Sequence, residues 1–147
     1  DRTRLWTARH NAYWAARALK PGCASFATDA CVPISRLADC ILETRAEAER
    51  SGLLCPLVGH VGDGNFHLLV LFDPEDSSER GRAEALVAGI ADRAIRMGGT
   101  ITGEHGVGLH KLSSMVAEHG PALDVMRRIK CALDPDGIMN PGKTIPG

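Results

Sequence analysis

Apolar and polar positions along this chain repeat with two periods, and the switches between them mark its elements. Over residues 2–19, Leu5, Trp6, Arg9, Ala12, Tyr13 and Ala16 recur at i, i+3, i+4 and i+7, the spacing of one helix face. Pro21-Gly22 ends that helix. Residues 23–32 are a mostly apolar run closed by Pro33 and predict a strand. Helical spacing returns with Leu37, Cys40, Ile41 and Ala48, where Ser35 is placed to cap and Gly52 to terminate. The opposite face of that helix, with Glu43, Arg45, Glu47, Glu49 and Arg50, reads as solvated surface. Two further apolar runs, residues 53–61 and 66–72, flank Gly62-Asp63-Gly64-Asn65 and predict a hairpin. Asp73-Pro74 closes the second run, and the charged stretch 75–82 leads into a helix through Ala83, Leu86, Val87, Ile90, Ala94 and Met97. Gly98-Gly99 caps it, residues 100–102 predict a short strand, and two short helices follow near 109–118 and 121–132. Residues 134–143 are too rich in turn formers for a regular element.

Strand, helix, strand, strand, helix, strand is the split βαβ, or ferredoxin-like, order. The expectation is an α+β fold: an antiparallel sheet with helices on one face, an extra N-terminal helix and two C-terminal helices. One tension stands in this layout. In a ferredoxin-like sheet the last strand runs parallel to the third, which carries Glu104 away from the hairpin turn. Either the strand at 100–102 is very short and the chain bends back near Gly103, or the strand order differs.

Composition narrows the classes. The 147 residues suit a single domain, and 44% hydrophobic with 24% charged residues is ordinary for a globular chain. A formal net charge of −1 supplies no basic field, so nucleic acid is not an expected partner. No apolar run approaches the ~20 residues a membrane span needs, and no transmembrane segment is expected. Beginning at Asp1, with no signal or transit segment, the chain reads as an internal or processed piece. Five irregularly spaced cysteines without a C-x-x-C pair argue against a disulfide framework or thiolate zinc site and fit a reducing compartment, most of them serving as core fillers.

The candidate chemistry lies in two glycine-framed stretches. With a loop at residues 62–65, His60 faces His67 across the hairpin with Cβ atoms about 4.5–5.5 Å apart. Two imidazoles so placed can share a metal ion; they can equally be solvated or core histidines beside a turn. In Thr102-Gly103-Glu104-His105-Gly106, the glycines leave the backbone open to close approach. His60, His67 and Glu104 together make a two-histidine, one-carboxylate set with open positions, as catalytic metal sites have. His105 is then free to act as a general base. Arg9 lies on or beside the apolar stripe of its helix, either as a snorkelling side chain or as a ligand-binding cation. His10, His110 and His119 have no evident partner and read as surface residues.

GHVGDGNFH, TGEHGVG and LDPDGIMNPGK, in this order over nearly the whole chain, resemble the C-terminal substrate (cap) domain of FAD-linked oxidoreductases. These are the vanillyl-alcohol-oxidase-type flavoenzymes that act on D-2-hydroxy acids. LWTARHNAYWAA and TDACVPISRL are similar to the mitochondrial branch that oxidises D-lactate to pyruvate. The resemblance implies a divalent metal, zinc or manganese, on His60, His67 and Glu104, with His105 as base. It further implies Arg9 on the carboxylate of a small 2-hydroxy acid, and Asn140 near the flavin. FAD would be held mainly by an N-terminal FAD-binding domain of the same polypeptide, which residues 1–147 do not contain, since no glycine-rich phosphate loop opens a helix after a strand. The isolated stretch is therefore expected to be inactive. The implied electron acceptor is cytochrome c or a quinone, and the implied compartment is the mitochondrion. Competing readings are a related D-2-hydroxyglutarate or glycolate dehydrogenase, a metal hydrolase using the same ligands, and a metal-stabilised structural module. A second substrate carboxylate would call for an extra cation, and residues 25–29 offer none.

Overall fold

Eight residues, Asn65–Phe72, form the strand on which the other elements are assembled. The computed structural model describes residues 1–146. Its elements are α1 (Arg2–His10), α2 (Ala12–Ala18), β1 (Ala24–Ala27), β2 (Ala30–Cys31), α3 (Ile34–Ser51), β3 (Leu57–His60), β4 (Asn65–Phe72), α4 (Ser77–Arg96), α5 (Leu112–His119) and α6 (Ala122–Leu133). One turn of 3-10 helix, Val61–Asp63, joins β3 to β4. Every strand pairing is antiparallel. β1 and β2 lie on one side of β4 in a single register, Ala27 opposite Leu69 and Ala30 opposite Phe66. β3 lies on the other side, Leu57 opposite Leu68 through His60 opposite Asn65. Thr100 bridges Cys31 on the edge away from β4. The order across the sheet is thus residue 100, β1/β2, β4, β3, the split βαβ arrangement read from the sequence.

Alternation along β4 separates a core face from a site face. Phe66, Leu68, Val70 and Phe72 pack with Leu37, Cys40 and Ala48 of α3 and Ala83, Leu86, Ile90 and Ala94 of α4. Burying each large side chain contributes about 1.5–3 kcal/mol. Asn65, His67, Leu69 and Leu71 face the other way, where α2 covers part of the sheet through Ala16 with Leu69, Leu71 and Cys23. A third cluster, Ile101, Met115 and Leu123, seats α5 and α6 beside Ala91 and Ile95 of α4.

Several predicted boundaries move, each for a local reason. The helix over residues 2–19 opens for one residue at Asn11 (φ −91°, ψ −1°), a weak helix former. The strand over 23–32 is divided at Thr28-Asp29. Ser35 does not cap α3: the helix starts at Ile34 directly after Pro33, without a side-chain cap. α4 starts earlier than its apolar stripe, because the Asp76 carboxylate accepts from the Ser78 and Glu79 amides at 2.8 and 3.2 Å. The strand expected over 53–61 shortens to Leu57–His60, behind Pro56, with an isolated bridge from Leu54 to Leu71. The strand at 100–102 contracts to the Thr100 bridge. The face of α3 read as solvated is partly an interface: buried Arg93 of α4 donates to Glu43 at 3.2 Å, to Thr44 Oγ1 at 3.0 Å, and to Glu47. Cys23 and Cys40 are buried, Cys31 and Cys55 half-buried and Cys131 exposed, all as free thiols. No helix is long and apolar enough to cross a membrane among the described residues.

Candidate metal centre

The hairpin turn sits one residue earlier than the glycine pattern suggests. It spans residues 61–64, with Gly64 at φ +75°, where a Cβ would run into the Val32 carbonyl oxygen. His60 therefore stands opposite Asn65, and His67 opposite Val58, rather than the two histidines opposite each other. The partner of His60 shifts by two residues, and two residues is the period of a strand, so both imidazoles keep the same face. They meet as diagonal neighbours with ring centroids 5.4 Å apart.

Glu104 arrives from the far edge of the sheet. After the single bridge at Thr100 the chain bends through 103–105, which resolves the topological tension in favour of a short strand. Gly103 permits the bend: a Cβ there would lie 2.7 Å from Asn65 Nδ2. Asp29, projecting from the break between β1 and β2, holds the bent segment. Its Oδ2 accepts from the His105 amide at 2.7 Å, the Glu104 amide at 3.0 Å, Thr102 Oγ1 at 3.2 Å and Lys111 Nζ at 3.3 Å. Asn65 Nδ2 donates to Oδ1 at 3.3 Å. As a result one carboxylate oxygen, Glu104 Oε1, lies 2.9 Å from His67 Nε2 and 3.1 Å from His60 Nε2. The side chain of His67 is 12% exposed and that of Glu104 48%, so the site opens to solvent from the carboxylate side. The His105 ring stacks on His67, centroids 4.8 Å apart and planes within 11°.

Hydrogen bonds decide which ring nitrogens carry protons. His67 Nδ1 lies 2.9 Å from the Thr28 carbonyl, which can only accept, so Nδ1 carries an N–H and Nε2 is the nitrogen whose lone pair can serve a cation. A lone pair 2.9 Å from a carboxylate oxygen is balanced only by a cation between them, a proton or a metal ion. Arg9 Nη2 lies 2.7 Å from His60 Nδ1, which must accept because a guanidinium has only donors. Arg9, predicted at the edge of its helix stripe, thus reaches the site across 51 residues of sequence. Ligation through His60 Nε2 requires its proton on Nδ1, facing Arg9, so metal on His60 and the Arg9 bond exclude each other. Ligand atoms of Asp29, His67, Glu104 and His105 also lie within 4.8 Å of one another. Asp29, however, is already committed to four donors on one oxygen, and withdrawing it would free the loop that carries Glu104. His60, His67 and Glu104 form the set whose donor chemistry fits a divalent ion.

Burial would raise the Asp29 carboxyl, but the His105 and Glu104 amides, with the charges of Lys111 and His105, hold it down at about 2 from an ordinary 3.8. A depressed folded-state value contributes stability that is fully present above pH 3.8 and lost as pH falls through about 2, on the order of 2 kcal/mol in all. Denaturant unfolding of metal-free full-length protein between pH 5 and pH 2 should show this acid limb, and Asp29→Asn should flatten it. Equal slopes in the two proteins would rule the contribution out.

A cavity of about 210 Å³ adjoins His67 and His105, between α2 and the site face of the sheet, lined also by Ala12, Tyr13, Ala16, Ala27, Pro56, Val58 and Leu69. It contains no Lys or Arg. A larger groove, about 640 Å³, follows the β1 edge between α4 and α5 and is lined by none of His60, His67, Glu104 and His105. Chemistry, not volume, makes the smaller cavity the relevant one. Asn140 lies outside this cluster, in the exposed tail at φ +47°, with its Oδ1 accepting from Lys143 Nζ at 3.4 Å. The His10 ring is tilted by 31° against Trp6 with centroids 6.1 Å apart, and His119 lies 3.7 Å from Glu118. Thr28 and Asp29 were not singled out in the sequence. Their signal is a polar pair inside an otherwise mostly apolar strand run.

The chain is 50% identical over 145 residues, 98% of its length, to a probable mitochondrial D-lactate dehydrogenase of Danio rerio, and covers 29% of that protein. It is 48% identical over 143 residues (97% of this chain) to the mitochondrial D-lactate dehydrogenase [cytochrome] of Arabidopsis thaliana, covering 25% of it. Against the glycolate oxidase subunit GlcD of Escherichia coli K12 the identity is 35% over 147 residues, 99% of this chain and 29% of that one. The chain thus spans between a quarter and three tenths of the length of these relatives. The structure of 4-ethylphenol oxidase from Gulosibacter chungangensis, in complex with isoeugenol, superposes with a TM-score of 0.67 at 22% identity over 97% of this chain and 30% of that one, a likeness of fold. Residues 1–144 match the family model "FAD linked oxidases, C-terminal domain", and the chain belongs to that family.

Proposed function

We propose that this chain is the substrate- and metal-binding part of an FAD-dependent D-2-hydroxy-acid dehydrogenase that oxidises D-lactate to pyruvate. The observation that carries the reading is the convergence of two imidazole nitrogens on Glu104 Oε1, beside a small apolar cavity flanked by a third histidine. His60, His67 and Glu104 would hold a divalent metal, zinc or manganese. When bound, that metal supplies Lewis acidity that lowers the pKa of a hydroxyl, and FAD supplies a two-electron acceptor.

The residues of the chain do the rest. Arg9 turns from His60 to the substrate carboxylate, where a guanidinium bonds bidentately and fixes which face of C2 is presented. His105 takes the hydroxyl proton. Tyr13, Val58 and Leu69 exclude water around the substrate carbon skeleton. Asn140 offers an amide toward the flavin, held mainly by the N-terminal FAD-binding domain of the same polypeptide. The electron acceptor is cytochrome c or a quinone and the compartment the mitochondrion, a reading supported by the names of the relatives from Danio rerio and Arabidopsis thaliana.

Similarity to the glycolate oxidase subunit keeps glycolate as the second reading. A dicarboxylate such as D-2-hydroxyglutarate suits the cavity less well, because its lining has no cation for a second carboxylate. Membership in an FAD-linked family favours an oxidoreductase over a hydrolase built on the same ligands.

Anaerobic mixing of the full-length protein with D-lactate, glycolate and D-2-hydroxyglutarate tests this, with flavin bleaching as the readout. Bleaching should be fastest with D-lactate, disappear on chelation and return with metal. His67→Ala should strip the metal as measured by elemental analysis, and metal occupancy should decline on acidification because a protonated imidazole has no lone pair to give. Unchanged metal content in His67→Ala, or bleaching indifferent to chelation, would overturn the reading.

A further inference from the structure

Between β1 and β2 the edge run keeps one register against β4, which sets Thr28 opposite Leu68. Residues opposed at a hydrogen-bonded position of an antiparallel pair exchange both N–H···O=C bonds. Here only one of the two is made through the backbone. The Thr28 N–H donates to the Leu68 carbonyl at 3.0 Å. The return bond runs from the Leu68 N–H to Thr28 Oγ1, at 2.9 Å. The Thr28 carbonyl, displaced from the ladder, accepts instead from His67 Nδ1 at 2.9 Å. Asp29 Oδ1, 3.8 Å from the same nitrogen, is beyond hydrogen-bond reach.

We infer that Thr28 is a positioning residue for the metal centre: its hydroxyl replaces its own carbonyl in the sheet, and the released carbonyl sets the tautomer in which His67 ligates through Nε2. The inference rests on the reading of His60, His67 and Glu104 as the ligand set. Its physical basis is the need of every buried N–H for an acceptor. Thr28 is 5% and Leu68 1% exposed, so water does not replace either partner. A valine at position 28 has the same branched shape and no acceptor. The Leu68 N–H then reclaims the Thr28 carbonyl, and His67 loses the bond that orients its ring. A serine keeps the acceptor and the exchange.

The test is titration of metal-free full-length protein with Mn²⁺ alone, reading affinity and melting temperature for wild type, Thr28→Val, Thr28→Ser and His67→Ala. Thr28→Val should bind Mn²⁺ roughly 10–100-fold more weakly, the usual effect of losing a partner behind a metal-bound histidine. Thr28→Ser should restore near wild-type affinity, and His67→Ala should abolish binding. A Thr28→Val protein with a lower melting temperature but wild-type affinity overturns the positioning role, while loss in His67→Ala leaves the ligand set standing. Wild-type affinity in His67→Ala brings down the ligand set and this inference together. The ring ¹⁵N shifts of His67 in metal-free wild-type protein, at a pH where the ring is neutral, need no variant. An Nδ1–H tautomer supports the inference and an Nε2–H tautomer overturns it.

Discussion

His105→Ala in the full-length protein is expected to lower kcat by roughly 10²–10⁴, the usual contribution of a positioned acid or base, with metal content and substrate KM little changed. The ring of His105 stands beside the proposed ligands at the edge of the cavity. Its backbone N–H is fixed on Asp29 Oδ2 at 2.7 Å, and its ring lies stacked on His67 at the wall of the cavity, with a ring nitrogen within 4.8 Å of ligand atoms of His67 and Glu104. Alanine leaves the amide bond to Asp29 intact and removes only the ring, so the loop that carries Glu104 should hold. A residue that only packs the turn predicts the reverse: a lower melting temperature with kcat preserved in the folded fraction. Steady-state flavin reduction, metal analysis and a melting curve on one preparation distinguish the two. Near wild-type kcat in His105→Ala would eliminate the general base and leave hydroxyl activation to the metal alone.

Glu104→Ala should fail in a different way. Its Oε1 is the atom on which His67 and His60 converge, and it supplies the only negative charge among the three proposed ligands. Its removal leaves two neutral imidazoles, so metal affinity should fall by more than the roughly 10–100-fold that a partner behind the ligands is worth. KM should rise and kcat fall together, because the hydroxyl would lose its anchor as well as its activation. Added metal should rescue turnover partly in Glu104→Ala and not at all in His105→Ala. Retention of full metal content in Glu104→Ala would exclude it as a ligand.

Periodicity alone was enough for the order of elements, the antiparallel sheet and the core face of β4, because burial of one face dictates which residues alternate inward. Helical stripes such as Leu86, Ile90 and Ala94 are legible for the same reason. The two glycine-framed stretches also announced the candidate site, since few sequences combine histidine, glutamate and so many positions open to close backbone approach. The hairpin turn lies one residue before the position the glycines suggest, and the imidazoles are neighbours all the same because the strand period is two. Arg9 in contact with His60 could not be read, because α1 and β3 meet only after α2 folds over the site face. Asp29 and Thr28 were hidden for a similar reason: a polar pair inside a strand has no partner until residues 102–105 and His67 arrive from elsewhere in the chain. What residues 1–147 determined by themselves is which groups are present and which face each strand residue takes. Which ring nitrogen carries the proton, and which carboxylate is left for a metal rather than bound into the loop, depends on hydrogen-bond partners far apart in sequence. Only the tertiary structure decides those.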